Sequence, residues 1–191
     1  MTIARRQKIC LESTPYYLCT NHCVRRTYLS GDDPLTKKNF DHRRNWIKEL
    51  LWKLEQAFCI SVITYTIGRD HYHVVVKIDT DQATKLSDLE VIDRWGQIYS
   101  IPSAATYYKA GYNLTEAQSQ KLMTDITHWR LQLTSLSRFI GHLNEKLARQ
   151  ANKEDKRTGR FWKSRFECEA VDDLSGLLGG RNDLETNLSR V

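Results

Sequence analysis

Residues 59–78 read CISVITYTIGRDHYHVVVKI, and this stretch decides the fold. Two apolar runs rich in β-branched residues, Cys59 to Ile67 and Tyr72 to Ile78, flank the polar connection Gly68-Arg69-Asp70. β-branched and aromatic side chains favour strands, and a short connection that contains glycine is typical of a tight turn. The stretch therefore predicts a β-hairpin.

The sequence before the hairpin predicts a strand and then a helix. Residues 16–29 have the aromatic and β-branched content of a strand, and the turn-forming residues 30–34 mark its end. The helix follows, with Asn39 or Asp41 as its candidate N-cap. Its apolar residues recur at spacings of three and four and predict one buried face, whereas Arg43, Arg44, Lys48 and Lys53 fall mostly elsewhere; the apolar set is Trp46, Ile47, Leu50, Leu51, Leu54 and Phe58.

The sequence after the hairpin predicts a broken helical region and a last strand. The helical pattern from residue 79 to about 155 is divided at Pro102 and Gly111, and Thr115 is the expected cap of a long helix. Residues 159–171 again resemble a strand. Strand, helix and hairpin in this order open a ferredoxin-like α+β sandwich, an antiparallel sheet with helices on one face. We expect this domain at residues 8–174, with a helical insertion at about 80–155 and a poorly patterned tail at 175–191.

The composition is that of a soluble globular protein with an anionic partner. Of the 191 residues, 40% are hydrophobic and 27% are charged. Twenty-nine Lys and Arg against 23 Asp and Glu leave a net charge of +6. No run approaches the ~20 apolar residues of a membrane span, and no apolar stretch follows Met1 to Arg6 as it would in a signal peptide. We expect a cytoplasmic protein with no membrane partner.

The cysteines predict free thiols. Their number is odd, which favours a reducing compartment over a disulfide framework. Cys19 and Cys23 enclose His22 and superficially resemble half of a zinc site, but a second close pair of ligands is missing. The five are Cys10, Cys19, Cys23, Cys59 and Cys168.

Two histidines in the second hairpin strand suggest a metal site. His71 and His73 are two residues apart, so both imidazoles project from one face of the sheet while Tyr72 points to the other. Two nitrogen ligands on one face suit a divalent ion such as Mg²⁺ or Mn²⁺, with open positions for phosphate oxygens. The alternative is two solvent-facing histidines without a ligand.

Cations are concentrated between residues 149 and 165, where only Glu154 and Asp155 oppose them. Cations contact phosphates, and neighbouring aromatic rings can stack on unpaired bases, although for Phe161 and Trp162 core packing is the preferred interpretation. The alternative for the cations is a solvated helix end and loop. The predicted DNA-binding residues, which include two near the first strand, are Arg25, Arg26, Arg149, Lys153, Lys156, Arg157, Arg160, Lys163 and Arg165.

Four stretches together resemble a known family. HYHVVV at 71–76 resembles the HUH signature, in which two histidines enclose a hydrophobic residue ahead of an apolar strand. TPYYLC at 14–19, LNEKLARQAN at 143–152 and GRFWKSRF at 159–166 complete the set. In this order they resemble the bacterial REP-associated tyrosine transposases, relatives of the single-tyrosine insertion-sequence transposases. The resemblance covers roughly residues 8–173.

The resemblance implies a metal-dependent transposase, often a homodimer, that nicks and rejoins single-stranded or hairpin DNA such as repetitive palindromic elements. In that family two histidines, here His71 and His73, and a third polar group hold Mg²⁺ or Mn²⁺. A tyrosine attacks the phosphorus and becomes joined to the 5′ end of the cut strand.

The sequence departs from the family at the nucleophile. The expected tyrosine position, four residues after Trp162, is Phe166, which has no hydroxyl. The nucleophile is therefore unassigned. Other tyrosines are available, although each is more simply interpreted as a half-buried aromatic; they are Tyr99, Tyr107, Tyr108 and Tyr112.

The third ligand and the end of the chain also depart from the family. Glu167, Glu169 and Asp172 are the candidate third ligands, or else charges at an exposed strand edge. Asp70 stands where the family has asparagine, and it either accepts an imidazole N–H or shapes the turn. Residues 175–191 do not continue the family's helix, as expected of a truncated or frame-shifted copy.

Three functions follow as hypotheses. A DNA-nicking and strand-joining enzyme requires a tyrosine hydroxyl near His71 and His73. A hairpin-binding protein that has lost this chemistry does not, and Phe166 favours it. A ferredoxin-like RNA-binding module would need exposed aromatics on the sheet face, where this sequence has histidines.

Overall fold

The computed structural model describes residues 13–24 and 27–172. Within them, four strands form one antiparallel sheet in the order β2-β3-β1-β4: β1 (Tyr16–His22), β2 (Ile60–Ile67), β3 (His71–Ile78) and β4 (Glu167–Ala170). Six helices accompany it: α1 (His42–Ala57), α2 (Thr80–Lys85), α3 (Asp88–Gly96), α4 (Ser103–Lys109), α5 (Glu116–Gln132) and α6 (Leu136–Glu154). The predicted mixture of helices with an antiparallel sheet is confirmed.

The predicted hairpin is present as β2 and β3. The Gly68 amide donates to the His71 carbonyl at 2.8 Å, which closes a turn whose two central residues are Arg69 and Asp70. A two-residue connection makes the strands immediate antiparallel neighbours. His71 is therefore the first residue of β3, at the turn end of the sheet.

The first strand is shorter than predicted and ends at His22 rather than Leu29. Beyond it, the Cys23 amide donates to the Asp70 carbonyl at 2.7 Å, and the Leu29 amide donates to the Arg69 carbonyl at 2.7 Å. The chain after β1 therefore wraps around the hairpin turn, because its amides bond to the turn instead of extending the ladder. Composition alone did not distinguish these two uses of an apolar segment.

The last strand is also shorter than predicted, because a bulge interrupts it. Thr20 pairs with Glu167 in β4, and Cys23 forms an isolated bridge to Trp162. Thr20 and Cys23 are three residues apart, whereas their partners Glu167 and Trp162 are five residues apart. The segment 162–167 therefore carries two extra residues relative to β1. Such an insertion breaks the ladder locally. Phe166 lies in this interrupted segment.

The chain divides into two compact units. The first comprises the described residues within 1–51, 62–77 and 140–191, and the second comprises 52–61 and 78–139. The second unit has a helical core of its own, in which Trp95 and Trp129 stack with ring centroids 5.7 Å apart. The predicted cap is confirmed, since the Thr115 side chain accepts from the Gln118 amide at the start of α5.

The two faces of the sheet differ in what covers them. On one face Tyr17, Cys19 and Tyr72 are buried, and the Tyr72 hydroxyl donates to Asn144 Oδ1 of α6 at 2.8 Å. Residues directly opposite each other in an antiparallel pair share a face, so the alternate positions of β1 and β3 project from the other side. Apart from the buried Val75, those positions are less buried, and they carry the histidines.

A buried arginine joins the start of α1 to the end of α6. Arg43, predicted to lie off the apolar face, has 0% of its surface exposed. Its Nε donates to Glu154 at 2.7 Å, Nη2 donates to Asp155 at 2.6 Å, and Nη1 donates to the Tyr28 carbonyl at 2.6 Å. The guanidinium also lies 4.2 Å from the centroid of the Phe40 ring. Burial is tolerated because the cation is fully paired, as buried charges must be.

Replacing Arg43 with Met should therefore lower the free energy of unfolding by about 3 kcal/mol, near the lower end for a broken buried ion pair because both carboxylates keep some contact with water. Urea denaturation measures the change. Lys48→Met, at an exposed position of the same helix, is the matched control and should change the stability by less than about 0.5 kcal/mol. Equal unfolding midpoints for the two variants would contradict the role given to Arg43.

Candidate metal and nucleic-acid site

Three histidines lie side by side at the turn end of the sheet. The β1–β3 register places His22 opposite His71 and Thr20 opposite His73, so all four side chains share the less buried face. The His22 and His71 ring centroids are 5.1 Å apart, and the His71 and His73 centroids are also 5.1 Å apart. His71 thus lies between the other two rings.

His22, Asp70 and His71 can hold a metal ion together. Each offers a ligand atom, and these atoms all lie within 4.8 Å of one another. The Asp70 Oδ1 atom is 2.9 Å from His71 Nδ1, and this hydrogen bond holds the pKa of the Asp70 carboxyl below its usual range. The carboxylate is therefore ionised at neutral pH. Two imidazoles and one carboxylate are a common donor set for divalent transition metals.

His73 is beside this cluster and has a different partner. Its Nδ1 atom lies 2.8 Å from Thr20 Oγ1 across the strand pair, so one ring nitrogen is engaged in a hydrogen bond. His73, the second member of the predicted pair, thus lies on the same face as His71. The three residues close enough to share one ion are instead His22, Asp70 and His71.

The acidic residues weighed as third ligands lie farther from His71 than Asp70 does. Glu167 is opposite Thr20 on β4, on the histidine face but beyond β1 from β3. Adjacent strands are about 4.8 Å apart, so about 10 Å separates the backbones of β4 and β3. Glu169 is opposite Leu18, farther from the turn end, and Asp172 follows β4. Asp70 instead contacts the His71 imidazole, one of the two roles considered for it.

His22 is the site residue that sequence reasoning missed. Its place between Cys19 and Cys23 resembles part of a zinc motif, yet strand alternation puts those two cysteines on the buried face and His22 on the other. Burial, reinforced by the nearby Asp70 carboxylate, raises the pKa of Cys23 to about 12. Cys23 is therefore a neutral thiol at physiological pH in the metal-free protein, and its side chain lies on the buried face. Cys10 lies outside the described residues.

Gly68 makes room for the His71 ring. A Cβ atom at residue 68 would lie 2.6 Å from His71 Cε1 and 2.8 Å from His71 Nε2, closer than side chains approach one another. The imidazole therefore packs directly over the glycine backbone, in the position that brings it next to Asp70 and His22.

One predicted DNA-binding residue, Lys163, lies directly beside the cluster. The Lys163 amide donates to the His22 carbonyl at 2.8 Å, and the Val24 amide donates to the Phe161 carbonyl at 2.9 Å. With Cys23 bridged to Trp162, this register puts Lys163 opposite His22 and on the same face.

Trp162 anchors this segment from the opposite face. Its indole N–H donates to the Asn144 carbonyl at 2.8 Å, and its ring packs edge-on against Tyr72 with centroids 5.6 Å apart. Phe161, next to it, is buried. Both aromatics are therefore engaged in packing, the interpretation preferred for them on sequence grounds.

The other predicted cations lie on α6, in the segment that follows it, or outside the described residues. Arg149 is exposed on α6 and pairs with Glu145 at 2.6 Å. Arg25 and Arg26 lie outside the described residues. The rest are exposed along the end of α6 and the segment that follows it: Lys153, Lys156, Arg157, Arg160 and Arg165.

The expected nucleophile position is unsuited to attack in a second respect. Phe166 is only 6% exposed, so its side chain packs inside the protein as well as lacking a hydroxyl. The tyrosines weighed in its place all belong to the helical unit; they are Tyr99, Tyr107, Tyr108 and Tyr112.

Tyr28 is a tyrosine that sequence reasoning did not weigh. The Arg69 guanidinium lies 4.6 Å from the centroid of its ring, in the same turn that carries Asp70. The amide of the following residue, Leu29, donates to the Arg69 carbonyl. The signal that finds Tyr28 is this long-range contact with the hairpin turn, which is not visible in the local sequence pattern.

Comparisons of the chain with protein-family models, with curated proteins and with solved structures found no match. Among the described residues, no helix is both long and apolar enough to cross a membrane. The function is therefore inferred from the site.

A methyl group at residue 68 should displace the His71 ring. We expect Gly68→Ala to shift the His71 ring resonances in an NMR spectrum and to weaken Mn²⁺ binding by about tenfold, the usual size of a disturbed ligand orientation. Gly141→Ala is the matched control, because a Cβ there meets nothing within 4 Å. Unchanged His71 resonances in Gly68→Ala would rule out the close packing described above.

Proposed function

We propose that this protein is a transposase-like DNA-processing protein that binds single-stranded or hairpin DNA and cuts it with the help of a divalent metal. The observation that carries the proposal is the His22, Asp70 and His71 cluster with Lys163 beside it on one face of the sheet. This arrangement combines metal ligands, which can promote cleavage of a phosphodiester, with a cation, which can bind its phosphate.

The topology supports a ferredoxin-like sandwich as the scaffold. The sheet order β2-β3-β1-β4 and the chain order strand, helix, two strands, helices, strand are those of this fold, with α1 and α6 as its two helices. The remaining helices, α2 to α5, then form the insertion. In this arrangement β1 and β3 are the two central strands, which is where the three histidines lie.

The donor set supports Mn²⁺ or Mg²⁺ as cofactor, with Mn²⁺ bound more tightly than Mg²⁺. His22 and His71 supply imidazole nitrogens and Asp70 supplies a carboxylate oxygen. Imidazole favours transition metals over Mg²⁺. A bound divalent ion supplies Lewis-acid polarisation of the scissile phosphate. The Asp70–His71 hydrogen bond orients the ring, and Lys163, opposite His22 on the same face, would add positive charge beside the cluster.

The strand-transfer chemistry requires a tyrosine. Its phenolic oxygen bonds to phosphorus, the bond from phosphorus to the 3′ oxygen breaks, and that oxygen takes up a proton. Phe166 cannot do this, and Tyr28 beside the hairpin turn is the first residue to test in its place.

A second function is favoured by Phe166. Because a buried phenylalanine occupies the expected nucleophile position, the protein would also suit a hairpin-binding role without strand cleavage. Lys163 and the exposed cations after α6 would serve that hairpin-binding role as well as they would serve the enzyme.

Incubation of the full chain with end-labelled hairpin or single-stranded DNA and Mn²⁺, followed by a native gel for binding and a denaturing gel for covalent products, separates the two functions. A covalent protein–DNA band supports the enzyme, and its loss in Tyr28→Phe would assign the nucleophile. Binding without a covalent band supports the hairpin-binding role. Failure to bind single-stranded or hairpin DNA would refute both.

His71→Ala should weaken Mn²⁺ binding by at least about tenfold and abolish cleavage, while DNA affinity without metal stays within about twofold. His22→Ala should do the same, because both rings belong to the cluster. Calorimetric titration with Mn²⁺ and a DNA-binding assay measure the two effects. His128→Ala, an exposed histidine of α5, is the control. Full Mn²⁺ affinity in His71→Ala would eliminate the cluster as the metal site.

Lys163→Ala should reduce the slope of log affinity against log salt concentration by about one, as expected for the loss of one phosphate contact. Lys121→Ala, an exposed position on α5, should leave the slope unchanged. If both variants show the wild-type slope, Lys163 does not contact the DNA backbone.

A further inference from the structure

Residues 31–40 form a small two-stranded finger that is bonded to the hairpin turn of the first unit. Asp32 and Asn39 form an antiparallel bridge. The Phe40 amide donates to the Gly31 carbonyl at 2.9 Å, and the Asp33 amide donates to the Lys38 carbonyl at 2.8 Å. The finger is thus a two-sided, hydrogen-bonded element with residues 34–37 at its tip.

The tip is held rigidly by one carboxylate. Asp33 Oδ1 accepts from the Leu35 amide at 2.9 Å, and Oδ2 accepts from the Thr36 hydroxyl at 2.5 Å. The Thr36 hydroxyl bond is the main reason that the pKa of the Asp33 carboxyl is lowered. Pro34 restricts the backbone before Leu35, and Lys37 adopts a positive φ of 60°. A preorganised tip loses little conformational entropy on binding a partner.

The base of the finger is fixed to the hairpin turn, which leads into Asp70 and His71 of the candidate metal site. The Ser30 hydroxyl donates to the Gly68 carbonyl at 2.8 Å. Arg69 Nη2 donates to the Asp32 carbonyl at 2.6 Å. Asp70 and His71 follow Arg69 directly, so the finger and the cluster share one end of the sheet.

The tip presents one apolar side chain beside two cations. Leu35 is 73% exposed, and Lys37 and Lys38 are exposed as well. Asp33 is buried and bonded within the tip, and the exposed Asp32 at the base accepts from the Asn39 side-chain amide at 2.9 Å. An apolar side chain that enters between bases while cations contact the flanking phosphates is a known means of unstacking DNA.

We propose that Leu35 is a wedge that enters the base stack of a DNA stem next to the His22, Asp70 and His71 cluster. Lys37 and Lys38 would then contact the adjoining phosphates. The inference rests on the proposed DNA-binding function and deepens it, since it names a base-paired stem as part of the substrate. Opening the stem beside His71 would free the strand to bend so that its phosphodiester reaches the cluster.

The test compares three full-length proteins: wild type, Leu35→Ser and Leu131→Ser. Leu131 is the matched control, because it is 66% exposed on α5 in the other unit. The probes are a hairpin with 2-aminopurine in its stem and an unstructured single strand of equal length. The fluorescence of 2-aminopurine rises when the base is unstacked.

We expect wild type and Leu131→Ser to raise the fluorescence of the hairpin. Leu35→Ser should cause no rise and should bind the hairpin about tenfold more weakly, in keeping with the loss of one buried leucine contact. Its affinity for the single strand should not change, because that strand has no stacked stem to open. Leu35→Met, which keeps an apolar side chain, should restore the fluorescence rise.

A hairpin affinity and fluorescence rise in Leu35→Ser equal to those of wild type would overturn the wedge and leave DNA binding intact. An equal loss of affinity for both probes would also overturn it, since the finger would then be a general contact. If wild type binds neither probe, the wedge and the proposed function fail together. Since Leu35 is exposed, circular dichroism should show the same fold for all variants.

Discussion

The hydrogen-bonded ladder between β1 and β3 is the constraint on which the site depends. It alone sets His22 against His71 and Thr20 against His73, although about fifty residues separate the partners in sequence. A slip of one residue would turn one strand's side chains to the opposite face and exchange a histidine for a core residue. The buried alternation of Tyr17, Cys19 and Asn21 on the other face resists that slip.

Asn144 of α6 supports this ladder from the face of the sheet opposite the histidines. Its side-chain oxygen accepts from the Tyr72 hydroxyl, and its backbone carbonyl accepts from the Trp162 indole. Tyr72 lies between His71 and His73 in the chain, and Trp162 immediately precedes Lys163. One position on α6 therefore fixes both the strand that carries the histidines and the segment that carries the cation. Satisfied buried polar groups of this kind specify a unique arrangement.

Local pattern was enough to predict the hairpin, α1 and the cap at Thr115, because each depends on neighbours in sequence. It was not enough for His22, whose partner is set by strand pairing, or for Arg43, whose ion pairs reach the far end of α6. The two-residue bulge before β4 was hidden for the same reason, since a bulge is defined only against its partner strand. Two of the three cluster residues, His71 and its neighbour Asp70, were within reach of sequence, and the third, His22, needed the register.

The short outer strand has a consequence for how copies of the protein meet. β4 lies at the edge of the sheet, is four residues long and turns Glu167 and Glu169 outward. A longer uncharged edge would offer free amides and carbonyls to any passing strand and so invite aggregation, whereas brevity and like charge discourage it. Two molecules would also bring glutamates together if they joined their sheets at this edge. Pairing of two molecules through β4 is therefore disfavoured, whereas β2, the longer strand at the other edge, carries no charged side chain.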